Sequence, residues 1–443
     1  LDNPESKKRI SRKDNTKIIN KMTNKISIAI KSLLFISTII SCFFCAERER
    51  LNPIDPQNSE TGGKPQGLRI YSEYEKAFLT WDNIKLTDFL GYRVYRKTKH
   101  GSEFELLYLT PKDSNCFVDK HLSYEQRYTY RISVLANDFE SNFSDTVTII
   151  PGPTLIWLSD VYSSRLIKLS HDCAHEISSF KVDGYPWTIT HQETNGNLWY
   201  SDVLLNRIYK FKDKQQPTLF ADLSNHEPID FVIDEKKDRI WVADELNGNI
   251  FIFNTLGDTL KRLQKFEKPV DIDCYSADGS CWVADAKKRS VSKISSDFNI
   301  VTEIFSMNSP AAVSVNQTTG EIWAADKSKV FKFDENGNNL LTIDSGLNYP
   351  FKVAVDFQLG CCWVLDWYFK AQESRLICFS ENGEILVDLS GFSFPENLII
   401  NPYDHTCIVA DSQGDKVIKV NLNGTIYGEI SGYDYPYGLD VVY

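Results

Sequence analysis

Apolar and polar residues alternate in short runs along most of the chain, and from residue 155 onward the runs recur with a long period. The phrases IWLSD, LWYSD, IWVAD, CWVAD, IWAAD, CWVLD and CIVAD end at Asp160, Asp202, Asp244, Asp285, Asp326, Asp366 and Asp411, spaced by 42, 42, 41, 41, 40 and 45 residues. A turn and a second alternating run follow each phrase (RLIKLS, RIYKFK, NIFIFN, SVSKIS, KVFKFD, RLICFS, KVIKVN). Period-two alternation bounded by turn formers predicts strands with one buried face. A unit of about 41 residues suits a four-stranded propeller blade.

Seven prolines also open apolar strands: Pro186, Pro228, Pro269, Pro310, Pro350, Pro395 and Pro436. They are out of step with the phrases. The first phrase has no proline strand before it, and the last proline strand, YGLDVVY, has no phrase after it. The mismatch resolves if residues 437–443 form the innermost strand of the blade that begins at Ile156. Pairing the two ends closes a seven-bladed ring over 155–443 and leaves no free sheet edge there. Blade 1 is this closing blade, and blades 2 to 7 follow in chain order.

Residues 64–150 have a different pattern, seven short strands (GLRIYS, KAFLTW, GYRVYRK, EFELLYL, CFVD, YTYRISVLA, TVTII), which predicts an antiparallel sandwich. Trp81 on the second strand, Leu90-Gly-Tyr-Arg-Val-Tyr on the third, and Leu122 with Tyr128 six residues on resemble the fibronectin type III family. The resemblance implies a sandwich that acts as a spacer or docking module. The seven phrases, in turn, resemble the NHL repeat, with lactonase-like and streptogramin-lyase-like propellers as related forms. That likeness implies the fold and leaves the function open, because such rings host enzymes and scaffolds alike. The expected architecture is all-β, a fibronectin type III-like sandwich followed by a seven-bladed propeller closed by the C-terminal strand.

The N-terminal stretch departs from these patterns. Residues 1–21 are polar and basic, and Met22 then opens MTNKISIAIK and the apolar run SLLFISTII before Cys42. This is the layout of an export signal. Ile39-Ile40-Ser41-Cys42 resembles the lipobox of bacterial lipoproteins, which implies lipidation of Cys42 and a membrane anchor. Loss of 1–41 removes nine Lys/Arg and three Asp/Glu, taking the net charge from −11 to −17. So acidic a chain argues against nucleic acid as a partner. Residues 42–63 lack apolar periodicity and are expected to be a flexible tether.

Eight cysteines lie between Cys116 and Cys407. Cys274 and Cys281 flank one predicted hairpin turn and could bridge. Cys281, Cys362 and Cys407 also occupy a repeat position filled elsewhere by Ile156, Leu198, Ile240 and Ile322, which favours core packing. The seven phrase aspartates, present in every blade before a turn, are expected to accept turn N–H groups rather than to hold metal. The phrase tryptophans are expected to pack between blades.

Function should lie where the repeats differ. The second residue after each proline, near the channel mouth, runs Thr188, Asp230, Asp271, Ala312, Lys352, Asn397, Gly438. Asp230 and Asp271 with Asn397 have the oxygen chemistry to bind Ca²⁺ or Mg²⁺, and the alternative is a ring in which Lys352 balances the acids. Loops on the same face gather aromatics: Tyr185, Trp187, Tyr349, Phe351, Trp367, Tyr368, Phe369, Phe392, Phe394, Tyr433, Tyr435 and Tyr437. They form an arc over blades 6, 7, 1 and 2, suited to a sugar, peptide or protein partner. The leading expectation is a lipid-anchored binding or scaffold protein of the bacterial cell envelope, recognising a protein, peptide or glycan on this face. The alternative is a metal-dependent propeller lyase or lactonase at the channel mouth. No catalytic residue is assigned, since only His191 of seven histidines falls on an inner strand, and its parity turns it sideways.

Overall fold

Two small antiparallel sheets form the N-terminal part of the computed structural model, which describes residues 51–443 except 87, 100, 102, 138, 213–214 and 370–372. The expected export signal and Cys42 lie outside the described residues. One sheet joins Arg69–Glu73, Lys76–Thr80 and Cys116–Asp119. The other joins Glu105–Pro111, Gly91–Thr98, Tyr128–Ala136, Phe139–Glu140 and Val147–Ile149. The seven expected strands are present, and Phe139–Glu140 is an addition too short to show in alternation. Alternate residues of both sheets meet in one core around Leu79, Trp81, Tyr92, Tyr130 and Ile132. The Tyr128 hydroxyl accepts the Ser123 N–H at 3.0 Å.

The expected tether needs correction over its described part. Ile54 is 3% exposed and sits in the same core as Trp81. Thr61 Oγ1 donates to the Pro53 carbonyl at 2.6 Å, and Asn142 Nδ2 donates to that of Gly62 at 2.9 Å. Residues 51–63 are therefore a run of turns laid on the sandwich, held by one apolar side chain and local side-chain-to-backbone bonds.

From Leu155 the chain forms seven four-stranded antiparallel sheets. The inner strands are Pro436–Val442 in blade 1, then Pro186–Gln192, Pro228–Asp234, Pro269–Tyr275, Pro310–Val315, Pro350–Asp356 and Pro395–Asn401. Each touches the next around a closed circuit. Pro436–Val442 pairs with Leu155–Asp160, placing Leu439 opposite Leu158 and Val442 opposite Leu155. This β-propeller is closed by strands from both ends of the domain. The phrase tryptophans fill the seams between blades: Trp241 packs on Ile272, Cys274 and Val283 of blade 4, and Trp282 on Val313 and Ile322 of blade 5.

An inner strand has an unpaired edge toward the channel, and its free N–H groups need acceptors. Side chains two and four places after the prolines supply them. Asp230 accepts the Ile272 N–H at 3.1 Å, Asp271 that of Val313 at 2.8 Å, and Asp273 that of Val315 at 2.8 Å. Ser314 likewise accepts from Val355 at 3.2 Å, and Asp440 from His191. The channel acids are thus staples between successive blades.

Burial pushes the carboxyl of Asp440 up to about 7 from an ordinary 3.8. The folded state therefore binds its proton more tightly than the unfolded chain, so this contribution to stability is complete below about pH 4 and is lost as pH rises through about 7. An Asp440→Asn variant is expected to gain stability relative to the parent between pH 4 and pH 8 in paired thermal melts. A difference between the two that does not change with pH would contradict this.

Cys274 and Cys281 face each other on adjacent strands and are joined by a disulfide, so Cys281 is cross-linked rather than a free core thiol. Cys362 and Cys407 are buried free thiols.

Candidate functional site

In every blade the pairing of inner and second strands shifts register directly after the proline. Such a bulge inserts an extra residue and re-aims side chains, and here the residue directly after the proline is partly exposed in every blade. The position directly after the proline runs Trp187, Ile229, Val270, Ala311, Phe351, Glu396, Tyr437 from blade 2 to blade 1. The mouth is framed by the phrase aspartates, which tie the loop before each proline to the turn after each phrase. Asp202 Oδ1 accepts the N–H groups of Tyr185, Leu204 and Leu205 at 3.1, 2.9 and 2.9 Å. Asp285 holds Glu267, Lys268, Lys287 and Lys288 in the same way. The expected turn bonding is present, and it extends to the proline loop.

The aromatic arc resolves into two stacks. On blades 1 and 2, Trp187 stacks on Tyr437 with centroids 3.9 Å apart, Tyr435 lies 6.2 Å from Trp187, and Tyr162 lies 4.8 Å from Tyr435. Gly438 makes this possible: a Cβ there would stand 2.2 Å from the Trp187 carbonyl. On blades 6 and 7, Trp367 sits between Phe351 at 3.8 Å and Phe394 at 4.3 Å, with Tyr349 at 5.9 Å and Phe369 beyond it, 6.1 Å from Tyr349. The Trp367 indole N–H donates to the Pro395 carbonyl at 2.6 Å. The Tyr435 hydroxyl reaches Glu396 on blade 7 at 2.7 Å and spans the two stacks.

Most of these rings cover one another, so the surface is smaller than the ring count. Tyr433 does not belong to it: the side chain is 6% exposed and packs with Ile167, Leu169, Cys173 and Ile408 between blades 7 and 1. Phe392 is buried likewise. Phe369 is 89% exposed, Tyr162 53%, and Tyr368 and Tyr185 are also exposed. Tyr162, two residues after Asp160, holds the loop position that Tyr368 holds after Asp366, and that parallel is its signal in the sequence.

Asp230 and Asp271 act on an ammonium, and Asn397 bonds backbone. Lys352 of blade 6 reaches across blade 5, where Ala312 leaves room, and its ammonium lies 2.5 Å from Asp271 Oδ1. Burial alone would lower that ammonium's pKa, but Asp271 and Asp230 outweigh burial and raise it. Asp230 accepts from the Thr188 hydroxyl at 3.3 Å, and its carboxyl is held well above the usual range by burial and by Asp271. Asn397 is spent on backbone, donating to the Tyr437 carbonyl at 3.2 Å and accepting the Leu398 N–H at 2.9 Å. The ammonium fills the role that the sequence left open for Ca²⁺ or Mg²⁺. His191 lies on its inner strand, half-buried, with its pKa lowered by burial.

A second polar cluster joins the sandwich to the ring. His171 Nε2 lies 2.9 Å from Glu125 Oε1 of the sandwich and 3.3 Å from Asp404 Oδ2, while Nδ1 meets Thr154 Oγ1 at 2.6 Å. Among the described residues this is the group of acids and histidine whose ligand atoms converge as a metal site would require. Lys419 already stands there, 2.6 Å from Asp404 Oδ2 and 3.4 Å from His171 Nε2, so the cluster is an ion network buried at Lys419 and His171 and open to solvent at Glu125.

No sequence-family model and no curated protein sequence matches the chain. Solved structures match in fold. A protein of unknown function from Desulfotomaculum acetoxidans DSM 771 is 12% identical with a TM-score of 0.54, covering 65% of this chain and 98% of its own. A streptogramin B lyase structure is 14% identical, covering 57% of this chain and 86% of its own, at a TM-score of 0.49. A nidogen/laminin complex structure is 12% identical, covering 65% and 98%, at 0.43. At such identities the likeness is one of fold, and the chain is an all-β protein built on a β-propeller.

Proposed function

We propose that this is a ligand-binding protein of the cell envelope, held to the membrane through lipidated Cys42, whose propeller mouth recognises a protein, peptide or glycan. In this reading the sandwich is a fibronectin type III-like module that sets the ring at a fixed distance from its anchor. The observation that carries the proposal is the pair of aromatic stacks spanned at the mouth by Tyr435 and Glu396. Exposed rings on a rigid, prefolded rim supply contact area at little entropic cost. Immobilised wild-type protein is expected to retain an envelope component. The double variant Tyr162→Ala/Phe369→Ala, which removes exposed rings and no core, is expected to bind it at least about tenfold more weakly. Equal retention by the two proteins would remove the arc from the proposal.

One observation favours a second reading, a propeller lyase or lactonase. The raised Asp230 carboxyl, paired with Asp271 at the mouth, is a group able to exchange a proton near neutral pH. That reading requires Asp230→Asn to abolish turnover of a lactone or cyclic ester while leaving the melting behaviour intact.

A further inference from the structure

Six of the seven residues that directly follow the prolines are apolar or aromatic, and the seventh, Glu396, is an acid. One Glu396 oxygen accepts the Tyr435 hydroxyl at 2.7 Å, and among the described residues no lysine, arginine or histidine forms an ion pair with it. Lys352, the ammonium at the mouth, is committed to Asp271. Burial raises the Glu396 carboxyl, and the Tyr435 hydrogen bond works against that rise. A half-buried carboxylate without a counter-ion is costly, and here the side chains it meets are rings: Tyr435, which it bonds, and Tyr437, which its charge reaches, with Trp187 stacked on Tyr437.

Aromatic faces carry negative potential, so rings and carboxylate together attract one kind of group, a positive charge on an apolar stem. A neutral sugar would use the rings but has no need of an unpaired acid, and an anion would be repelled by Glu396 and by a chain of net charge −11. We infer that the mouth takes an organic cation, an alkylammonium or guanidinium group, with Glu396 as counter-ion and the Trp187, Tyr437 and Tyr435 rings against the stem. The inference rests on the mouth being the ligand site. Its two sources are a basic side chain of a peptide and a free amine.

The test is calorimetry on the full chain, read in parallel by tryptophan fluorescence. The probes are butylammonium, a blocked Gly-Gly-Lys-Gly-Gly peptide, and the same peptide with its lysine acetylated. Binding of the lysine peptide and not of its acetylated form supports the inference. Saturation by butylammonium as well identifies the free group as sufficient, and binding of the peptide alone identifies a side chain in a longer ligand. Glu396→Gln, which keeps an acceptor for Tyr435, is expected to weaken binding at least about tenfold, with unchanged melting as the sign of an intact fold. Equal binding of the acetylated peptide, or equal affinity of Glu396→Gln, overturns the cation. If Tyr162→Ala/Phe369→Ala loses the envelope component while Glu396→Gln and excess butylammonium leave it bound, the mouth remains a binding site and only the cation falls.

Discussion

A Lys419→Met variant is expected to lose about 3–5 kcal/mol of stability, because it strips the counter-charge from the nearly buried Asp404. Lys419 is fully buried on the third strand of blade 7. Its ammonium lies 2.6 Å from Asp404 Oδ2 and donates to the His171 carbonyl at 2.7 Å. Glu125 enters from the sandwich, with one oxygen on His171 and the other accepting the Tyr427 hydroxyl at 2.6 Å. Methionine fills the volume of lysine without its charge, so Asp404 would keep only His171 against it, while Glu125, open to solvent, keeps His171 and Tyr427. Urea unfolding should show the loss, and Asp404→Asn added to Lys419→Met should recover a large part of it, since the cost lies in the orphaned charge. A single variant within about 0.5 kcal/mol of the parent would mean that water already solvates the site.

The same network bears on how the sandwich is carried. His175 Nε2 meets the Thr148 carbonyl at 2.8 Å, and the Ile150 N–H donates to Asp172 at 3.0 Å. Gly152 passes so close that a Cβ would stand 2.1 Å from the His171 ring. These contacts seat the sandwich against blades 1 and 7.

What the chain disclosed before folding was what repetition amplifies. Seven aspartates and six tryptophans in register revealed turns and seams because each blade poses the same packing problem, and the unmatched YGLDVVY strand revealed the closure. Features that occur once were harder. Glu125 and Tyr427 stand 302 residues apart in the chain, and no local pattern announces that they meet. Ile54 looked like one apolar residue in a polar tether because its slot is built by the sandwich. The bulge misled in a different way. Alternation singles out the second residue after each proline, and at the position before it only the aromatic Trp187, Phe351 and Tyr437 stand out in the sequence, while Glu396, the single charge there, does not. Tyr433 was misplaced for the reverse reason: two residues from Tyr435, it shares the loop but points into the core.

Deleting residues 436–443 is expected to abolish folding of the ring as a soluble monomer. The deletion bares three strands at once: the edge of Leu155–Asp160, and the faces of Pro186–Gln192 and Pro395–Asn401 that Pro436–Val442 touches. Leu439 and Val442 leave the core, each worth roughly 1.5–3 kcal/mol of burial, and the Asp440 staple to His191 goes with them. With the ladder bonds added, the loss is comparable to the whole stability of a typical domain, about 5–15 kcal/mol. The bared edges then offer unpaired strands to other copies, and aggregation should follow. A permuted chain separates loss of the strand from loss of the terminus. Val442 lies opposite Leu155, so residues 432–443 placed ahead of Leu155 through a short turn would form the hairpin that joins inner and second strands in blades 2 to 7. The permuted protein is expected to melt as the parent does, while the truncated one is recovered only as aggregate. A truncated protein with parental melting would show that blade 1 does not need its fourth strand, and the ring would then be held shut by the tryptophan seams alone.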